Sequence, residues 1–384
     1  MKDLHQEADA ARRLNAIVLY ACSGSHGHRV LAENYRDLMH SLGIDAVAVD
    51  VFTQEGRERF NVWISVYFRL LRVAPLLWRC LYGGWTRVPG INFIRRWVLP
   101  RRFKKTQALL LTERPDLVLS THPIATAVAD FLKAREVLVA PLWVAFSDWH
   151  IQSFWVFPNV GRYLVPIATQ LKTLEKSGVA AETVSVVGML LSQPYYTQNK
   201  TREAAREELQ ISKSSNVVVI MGGGKGWALE QMIDGMRKVQ AHCIVIAGSE
   251  KRKTELQQHL RKKKHSGDWT ILGWVDPIPY LIASDLVIAK PGGLTTAEVL
   301  HLKKPLILCE AMPGHEEENG RVLNEIGVCW AVEVDELDSL VSNFFNNGDL
   351  GVRSVPAFDQ NQSNNDCPRL VRQTLAKAFA LGIQ

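Results

Sequence analysis

At 384 residues, 47% hydrophobic and 22% charged, the chain suits two folded domains rather than one core or a disordered polymer. Its formal charge of +6 hints at anionic partners but does not bear on fold. Six cysteines without a CxxC pair, most of them in apolar runs, read as buried reduced thiols and argue against disulfides or structural zinc. The polar start MKDLHQEADAARRLN lacks the apolar core of a secretory signal. No run of 18 apolar residues reads as a membrane-crossing helix.

In chain order, NAIVLYA (15–21) reads as a buried parallel strand. The loop CSGSHGHR, a helix over 29–42 and the strand GIDAVAVDVF (43–52) follow. Strand, glycine-rich loop, helix, strand is the opening of a doubly wound sheet. PDLVLSTHP, a helix near 124–135, VLVAPLWVAFSD, RYLVP, a helix near 168–177 and TVSVVGM continue the alternation. After the loop SQPYYTQNKT (192–201) it restarts with NVVVIMGGGKGW and a helix over 227–239. HCIVIAG, a basic helix, WTILGW, DLVIAKPGG, a helix, PLILCEA and another helix come next. This predicts an α/β protein of two Rossmann-like parallel-sheet domains, over 1–190 and 191–355. A loop and amphipathic helix over 356–384 are expected to return to the first domain.

Residues 57–105 carry ten Arg and two Lys against one acid, Glu58, with Trp63, Trp78, Trp85 and Trp97 interleaved. On a helical wheel over 62–82, Trp63, Val66, Tyr67, Leu70, Ala74, Leu77, Trp78 and Leu81 fall within about a third of the circle. Arg69, Arg72 and Arg79 gather opposite, and Pro75 is expected to kink or break the helix. A basic face against a Trp/Leu face suits a helix lying in the interface of an anionic membrane. The same pattern also describes a core-packed helix with a solvated basic face. Nucleic acid is not expected, because the aromatics cluster apart from the charges.

Three loops of the second half leave strand ends, where open α/β sheets bind ligands. Gly222, Gly223 and Gly224 with Lys225 form a turn that either brings backbone amides to a phosphate or simply joins strand to helix. In KPGGLTTAEVL, Gly292 and Gly293 end a strand, and Leu294, Thr295 and Thr296 open a helix with amide and hydroxyl donors for an anion. Glu298 reads as a helix-capping acid or as a bidentate acceptor for two ribose hydroxyls. In PGHEEENG, His315, Glu316, Glu317 and Asn319 either cap a helix or meet sugar hydroxyls.

The run GWVDPIPYLIASDLVIAKPGGLTTAEVLHLKKPLILCEAMPGHEEENGRVL resembles the donor domain of the monogalactosyldiacylglycerol synthase and processive diacylglycerol glucosyltransferase family. The peptidoglycan lipid-intermediate N-acetylglucosaminyltransferase is a more distant relative of the same GT-B fold. The resemblance implies that Gly292, Gly293, Thr295 and Thr296 hold the donor diphosphate and Glu298 the ribose. The backbone around Trp274 and Val275 would receive uracil, and Glu316, Glu317 and Asn319 the sugar. His315 replaces a Gln usual in relatives, which leaves galactose, glucose and N-acetyl sugars open. CSGSHGHRVLAEN resembles the first-domain loop, with His28 and Arg29 matching and Ser25 and His26 in place of glycines. The resemblance continues through RPDLVLSTHP and FSDWHIQSFWVFPNVGRYLVP.

Inverting sugar transfer needs a base at the acceptor hydroxyl and charge stabilisation for the departing diphosphate. His28 is assigned as base or acceptor-orienting group, with Asp148 second; the plainer alternative for His28 is a helix-start histidine. His26 and His122 read as structural. No DxD motif or carboxylate cluster suggests a catalytic metal, and no other cofactor is expected, the UDP-sugar being a co-substrate. The resemblance implies an inverting hexosyltransferase acting on UDP-hexose and a membrane lipid, diacylglycerol first. It would sit peripherally on the cytoplasmic face of the cell membrane. A lipid-intermediate N-acetylglucosaminyltransferase, a UDP-sugar 2-epimerase and a non-catalytic UDP-sugar-binding protein are the competing readings.

Overall fold

The long Val/Ile/Leu runs build the sheets of the computed structural model, which describes residues 13–22, 26–74, 76, 78, 79, 82, 90–347 and 366–379. Ser25, the side chains of Tyr67 and Arg72, and the expected boundary near 355 lie outside the described residues. The first sheet contains β1 (Asn15–Tyr20), β2 (Asp45–Asp50), β3 (Leu117–Ser120), β4 (Leu142–Ala145), β5 (Arg162–Val165) and β6 (Val184–Val186), in the order β2-β1-β3-β4-β5-β6. The second contains β7 (Val217–Met221), β8 (His242–Ile246), β9 (Asp268–Leu272), β10 (Leu286–Ala289), β11 (Leu306–Leu308) and β12 (Trp330–Ala331), in the order β12-β11-β10-β7-β8-β9. Every pairing is parallel, with Val18 opposite Leu119 and Val219 opposite Val287 in the two centres. β3, β4, β7 and β10 are buried along their whole length, as expected of parallel strands covered by helices on both faces.

Strand order reverses between β1 and β3 in one sheet and between β7 and β10 in the other. These are the switch points where the carboxyl ends of neighbouring strands splay loops apart and leave a crevice. The β1 and β3 loops carry His26, His28, Thr121 and His122; the β7 and β10 loops carry Gly222–Gly226 and Lys290–Gly293.

One apolar core is shared between the halves. It joins Leu31, Tyr35 and Leu38 to Ile278 and Leu281 of the second domain and to Cys367, Val371 and Leu375 of the last helix, Cys367–Phe379. Arg372 of that helix donates to the Ser41 hydroxyl at 3.2 Å. The amphipathic helix runs Glu58–Val73 and stops at Ala74, whose successor Pro75 disfavours helical geometry in the residue before it. Its inner side stacks Phe60 on Phe103 at 5.3 Å and buries Leu71. No helix among the described residues is long and apolar enough to cross a membrane.

Candidate active site

The two sets of strand ends face each other across one cavity of about 1310 Å³. On its first-domain wall stands His28, near the start of the Gly27–His40 helix. Its Nδ1 lies 2.6 Å from the Thr121 carbonyl oxygen. A carbonyl only accepts, so this contact places the proton on Nδ1 and leaves Nε2 with the lone pair. The Ser147 hydroxyl is 2.9 Å from the same Nδ1, and the Thr121 hydroxyl returns a bond to the His28 carbonyl at 2.9 Å. Burial lowers the His28 pKa, and His315 adds to this; Asp148 and the Thr121 carbonyl pull the other way. The ring is therefore neutral at pH 7 and able to take a proton at Nε2.

The opposite wall is an open helix start. Gly292 is the extended residue before the Gly293–His301 helix, and Gly293, Leu294 and Thr295 line the cavity with amides that have no partner one turn earlier. Gly223, at φ +68°, leaves room for Lys290, since a Cβ there would stand 2.6 Å from the Lys290 Cε. The Lys290 ammonium pairs with the Glu316 carboxylate, whose other oxygen accepts from the Met312 N–H at 2.9 Å. Both groups line the cavity. Sequence reasoning passed over Lys290 because AKPGG was read for its glycines; a lysine ending a buried strand was the available signal. Glu298 also faces the cavity, and burial raises its pKa to about 8; Asp276 adds to the rise and the Tyr195 hydroxyl opposes it.

The cavity wall also includes Gly223, Gly224, Gly292, His315, Glu316 and Asp148. Four expected donor contacts are not among its lining residues, and each has a physical reason. The Thr296 hydroxyl accepts from the Trp149 indole at 2.6 Å and lies 2.8 Å from the Gly292 and Gly293 carbonyls, fully buried. Asn319 uses its whole amide between the domains. Its oxygen accepts from the Trp149 and His150 N–H groups, both at 2.9 Å, and its nitrogen donates to Asp148 Oδ1 at 2.9 Å and the Pro291 carbonyl at 3.1 Å. Glu317 caps its own helix through the Gly314 N–H at 3.0 Å and pairs with Arg79. Val275 packs against the shared core, while the neighbouring Trp274 is exposed.

Glycines mark where the domains touch. A Cβ on Gly293 would stand 1.7 Å from the Ser147 carbonyl oxygen, and one on Gly224 would stand 2.5 Å from His26 Nδ1. Gly293 is thus demanded by the first domain's backbone as much as by any phosphate.

The 58–73 helix has two uses. Outward it exposes Val62 (69%), Trp63 (74%) and Val66 (54%); inward, Ile64, Phe68 and Arg69 line the cavity, with Lys225 3.9 Å from the Phe68 ring centroid and Leu70 half-buried. Trp78 and Arg79 depart from the helical-wheel expectation. Trp78 lies against Gly314 and Arg79 against Glu317, so both turn toward the second domain. A second exposed apolar group, Phe93, Ile94 and Val98, was missed. Ile94 and Val98 bound a π-helical stretch that begins just after Phe93 and is closed by a bond from the Leu99 N–H to the Ile94 carbonyl, a five-residue spacing that a 3.6-residue wheel does not reveal. Among the described residues no group of three or more His, Cys, Asp or Glu is placed to hold a metal ion.

Two parallel-sheet domains meeting at their strand ends around a cleft is the GT-B arrangement, and this chain has that fold. Residues 28–190 match the model of the monogalactosyldiacylglycerol (MGDG) synthase family and 217–346 that of the glycosyltransferase family 28 C-terminal domain. The two models between them span most of the chain, and together with the relatives they mark it as a UDP-sugar-dependent glycosyltransferase. It is 25% identical over 328 residues to a processive diacylglycerol beta-glucosyltransferase of Bacillus cytotoxicus, covering 83% of this chain and 82% of that one. Its fold is similar to the calicheamicin glycosyltransferase CalG4 (TM-score 0.62, 11% identity, 97% of this chain and 100% of the other). It is also similar in fold to MurG of Acinetobacter baumannii (TM-score 0.54, 12% identity, 95% and 99%).

Proposed function

We propose that the enzyme moves a hexose from UDP-hexose to diacylglycerol with inversion, forming a β-glycosyldiacylglycerol at the inner surface of the cell membrane. The observation that carries this reading is the opposition of two groups across one cleft: the lone-pair Nε2 of His28 and the open Gly293–Thr295 helix start. The donor diphosphate lies against the helix amides, with Lys290 beside it, and Glu298 takes the ribose. The sugar then points toward His28, Asp148 and His315. The acceptor hydroxyl attacks C1 from the face opposite the diphosphate. The new C–O bond forms as the C1–phosphate oxygen bond breaks, and the hydroxyl proton passes to His28 Nε2. Charge growing on the leaving UDP is met by fixed amide dipoles and Lys290, and back-side attack inverts the anomeric centre.

The acceptor class is supported by the name of the Bacillus cytotoxicus relative, which spans most of both chains. The first domain, to about residue 190, supplies the acceptor and membrane side; the second, to about 355, supplies the donor side. The exposed Val62, Trp63 and Val66 beside exposed Arg59 fit an anionic bilayer surface.

The test is transfer of labelled sugar from UDP-glucose, UDP-galactose and UDP-N-acetylglucosamine into anionic vesicles containing diacylglycerol, with UDP release followed in parallel. Label in the lipid is expected from one hexose donor, and His28→Ala should lower kcat by about 10²–10⁴. UDP release without lipid label would overturn the acceptor. A His28→Ala variant turning over at the wild-type rate would overturn the base.

A further inference from the structure

His122 contacts His28 but takes no part in the transfer chemistry. It follows β3 and caps the Pro123–Lys133 helix, its Nδ1 accepting the Ile124 N–H at 3.1 Å. That bond occupies the Nδ1 lone pair, so the neutral ring carries its proton on Nε2. The ring is 9% exposed and stands edge-to-face on His28, with centroids 4.6 Å apart and planes at 80°. Trp155 closes around both rings, at 6.0 Å from His28 and 6.4 Å from His122.

The backbone below cannot swing. The Ser120 hydroxyl donates to the His122 carbonyl at 3.1 Å, and the Thr126 hydroxyl lies within 3.1 Å of that carbonyl and 2.9 Å of Ser120 Oγ. All three residues are buried. Adjacent residues thus handle one base from two directions. The Thr121 carbonyl selects its tautomer, and the buried His122 ring packs edge-to-face against it.

We propose that His122 is a positioning residue for sugar transfer, its capped and immobile ring holding the His28 imidazole in one orientation and walling it from solvent. This rests on His28 being the base. The remaining charged or titratable groups acting on His28 are Asp148 and His315, both on the cavity side. Burial drives the His122 pKa well below its ordinary value, and a charged His28 opposes its protonation further. His122 therefore stays neutral when His28 takes the acceptor proton, and the proton is not passed inward.

Two substitutions separate the ring from the cap. His122→Asn keeps a side-chain acceptor for the Ile124 N–H and removes the ring; His122→Phe keeps a ring and removes the acceptor. The measurement is the pH dependence of kcat/KM between pH 5 and 9, using UDP release with vesicles containing diacylglycerol. His122→Asn should move the acidic limb to higher pH by half a unit or more, because water now reaches His28. It should also lower kcat about tenfold, with the donor KM within about twofold of wild type. His122→Phe should lower the melting temperature and leave the acidic limb in place. If His122→Asn does not fold, His122→Gln and ¹⁵N-histidine NMR titration of His28 give the same readout. An acidic limb unmoved in folded His122→Asn, with His28→Ala inactive, overturns the positioning role alone. An active His28→Ala overturns the base assignment beneath it.

Discussion

Asn319 makes a quantitative prediction possible, because a single side chain spans the two domains with every polar position used. Truncation to alanine removes two bonds from the Trp149 and His150 N–H groups and one to the Asp148 carboxylate, all reaching the first domain. The neutral bonds contribute about 1 kcal/mol each and the charged one about 2 kcal/mol, and the partners left behind are buried or half-buried. The expected loss of domain coupling is about 4 kcal/mol, a shift of roughly a thousandfold in the closed-to-open ratio. In differential scanning calorimetry, Asn319→Ala should lower the main transition by about 5–8 °C or split it into two. Small-angle scattering should show a larger radius of gyration. Asn319→Asp is nearly isosteric and keeps both accepted bonds, yet sets a second carboxylate against Asp148 and the Pro291 carbonyl. It should melt below the alanine variant at pH 8 and approach it at acid pH, as a proton between the two carboxylates relieves the repulsion. An Asn319→Ala protein melting within about 1 °C of wild type, with an unchanged scattering profile, would refute the reasoning, since bonds of this kind contribute measurably.

Gly293→Ala puts a methyl carbon into the Ser147 carbonyl, a backbone atom that cannot rotate away. The protein should fold, scatter as a more open particle, and lose about a hundredfold or more in kcat/KM, as expected of an ångström-scale misplacement. Glu298 is held protonated by burial, with its pKa raised from 4.5 to about 8. Between those values the unfolded chain gives up a proton that the folded chain keeps, so wild-type stability falls as pH rises from about 4.5 to 8. Glu298→Gln should flatten that slope, so that its melting temperature gains on wild type from pH 5 to pH 8; parallel curves would assign the group an ordinary pKa. Trp63→Ser with Val66→Ser should weaken sedimentation with phosphatidylglycerol vesicles by about a hundredfold or more, since burying each such side chain contributes about 1.5–3 kcal/mol. Equal sedimentation of variant and wild type would remove the helix from the membrane surface.

The sheets were legible because buried parallel strands are written as unbroken apolar runs closed by glycine, as in NVVVIMGGG and DLVIAKPGG. The two-residue β12 was not anticipated, being too short to leave any period. On the cavity wall, the places of His28, Gly292, Thr295 and Glu298 were readable because each lies in a strand-end loop or in the opening turns of the helix that follows it. Thr296 and Asn319 were not, because what claims them arrives from elsewhere in the chain: the Trp149 indole for one, the backbone of Trp149 and His150 for the other. The same applies to Gly293, whose neighbour Ser147 is 146 positions away in sequence. Trp78 and Arg79 fell on plausible faces of one ideal helix, but the break before Pro75 re-aims them toward the second domain.

The matched contacts across the cleft bear on recombination. Exchanging donor domains between homologues is an obvious route to new sugar specificity, and the 187–216 link between the sheets invites a crossover there. Here each side carries half of several paired features: Ser147 with Gly293, His26 with Gly224, Trp149 with Thr296, and Asp148 with Asn319. A chimera inheriting one half of these pairs brings a methyl group onto a carbonyl or strands a buried amide. The transplantable unit is therefore the second domain together with the 146–150 loop and the start of the first helix, not the second domain alone.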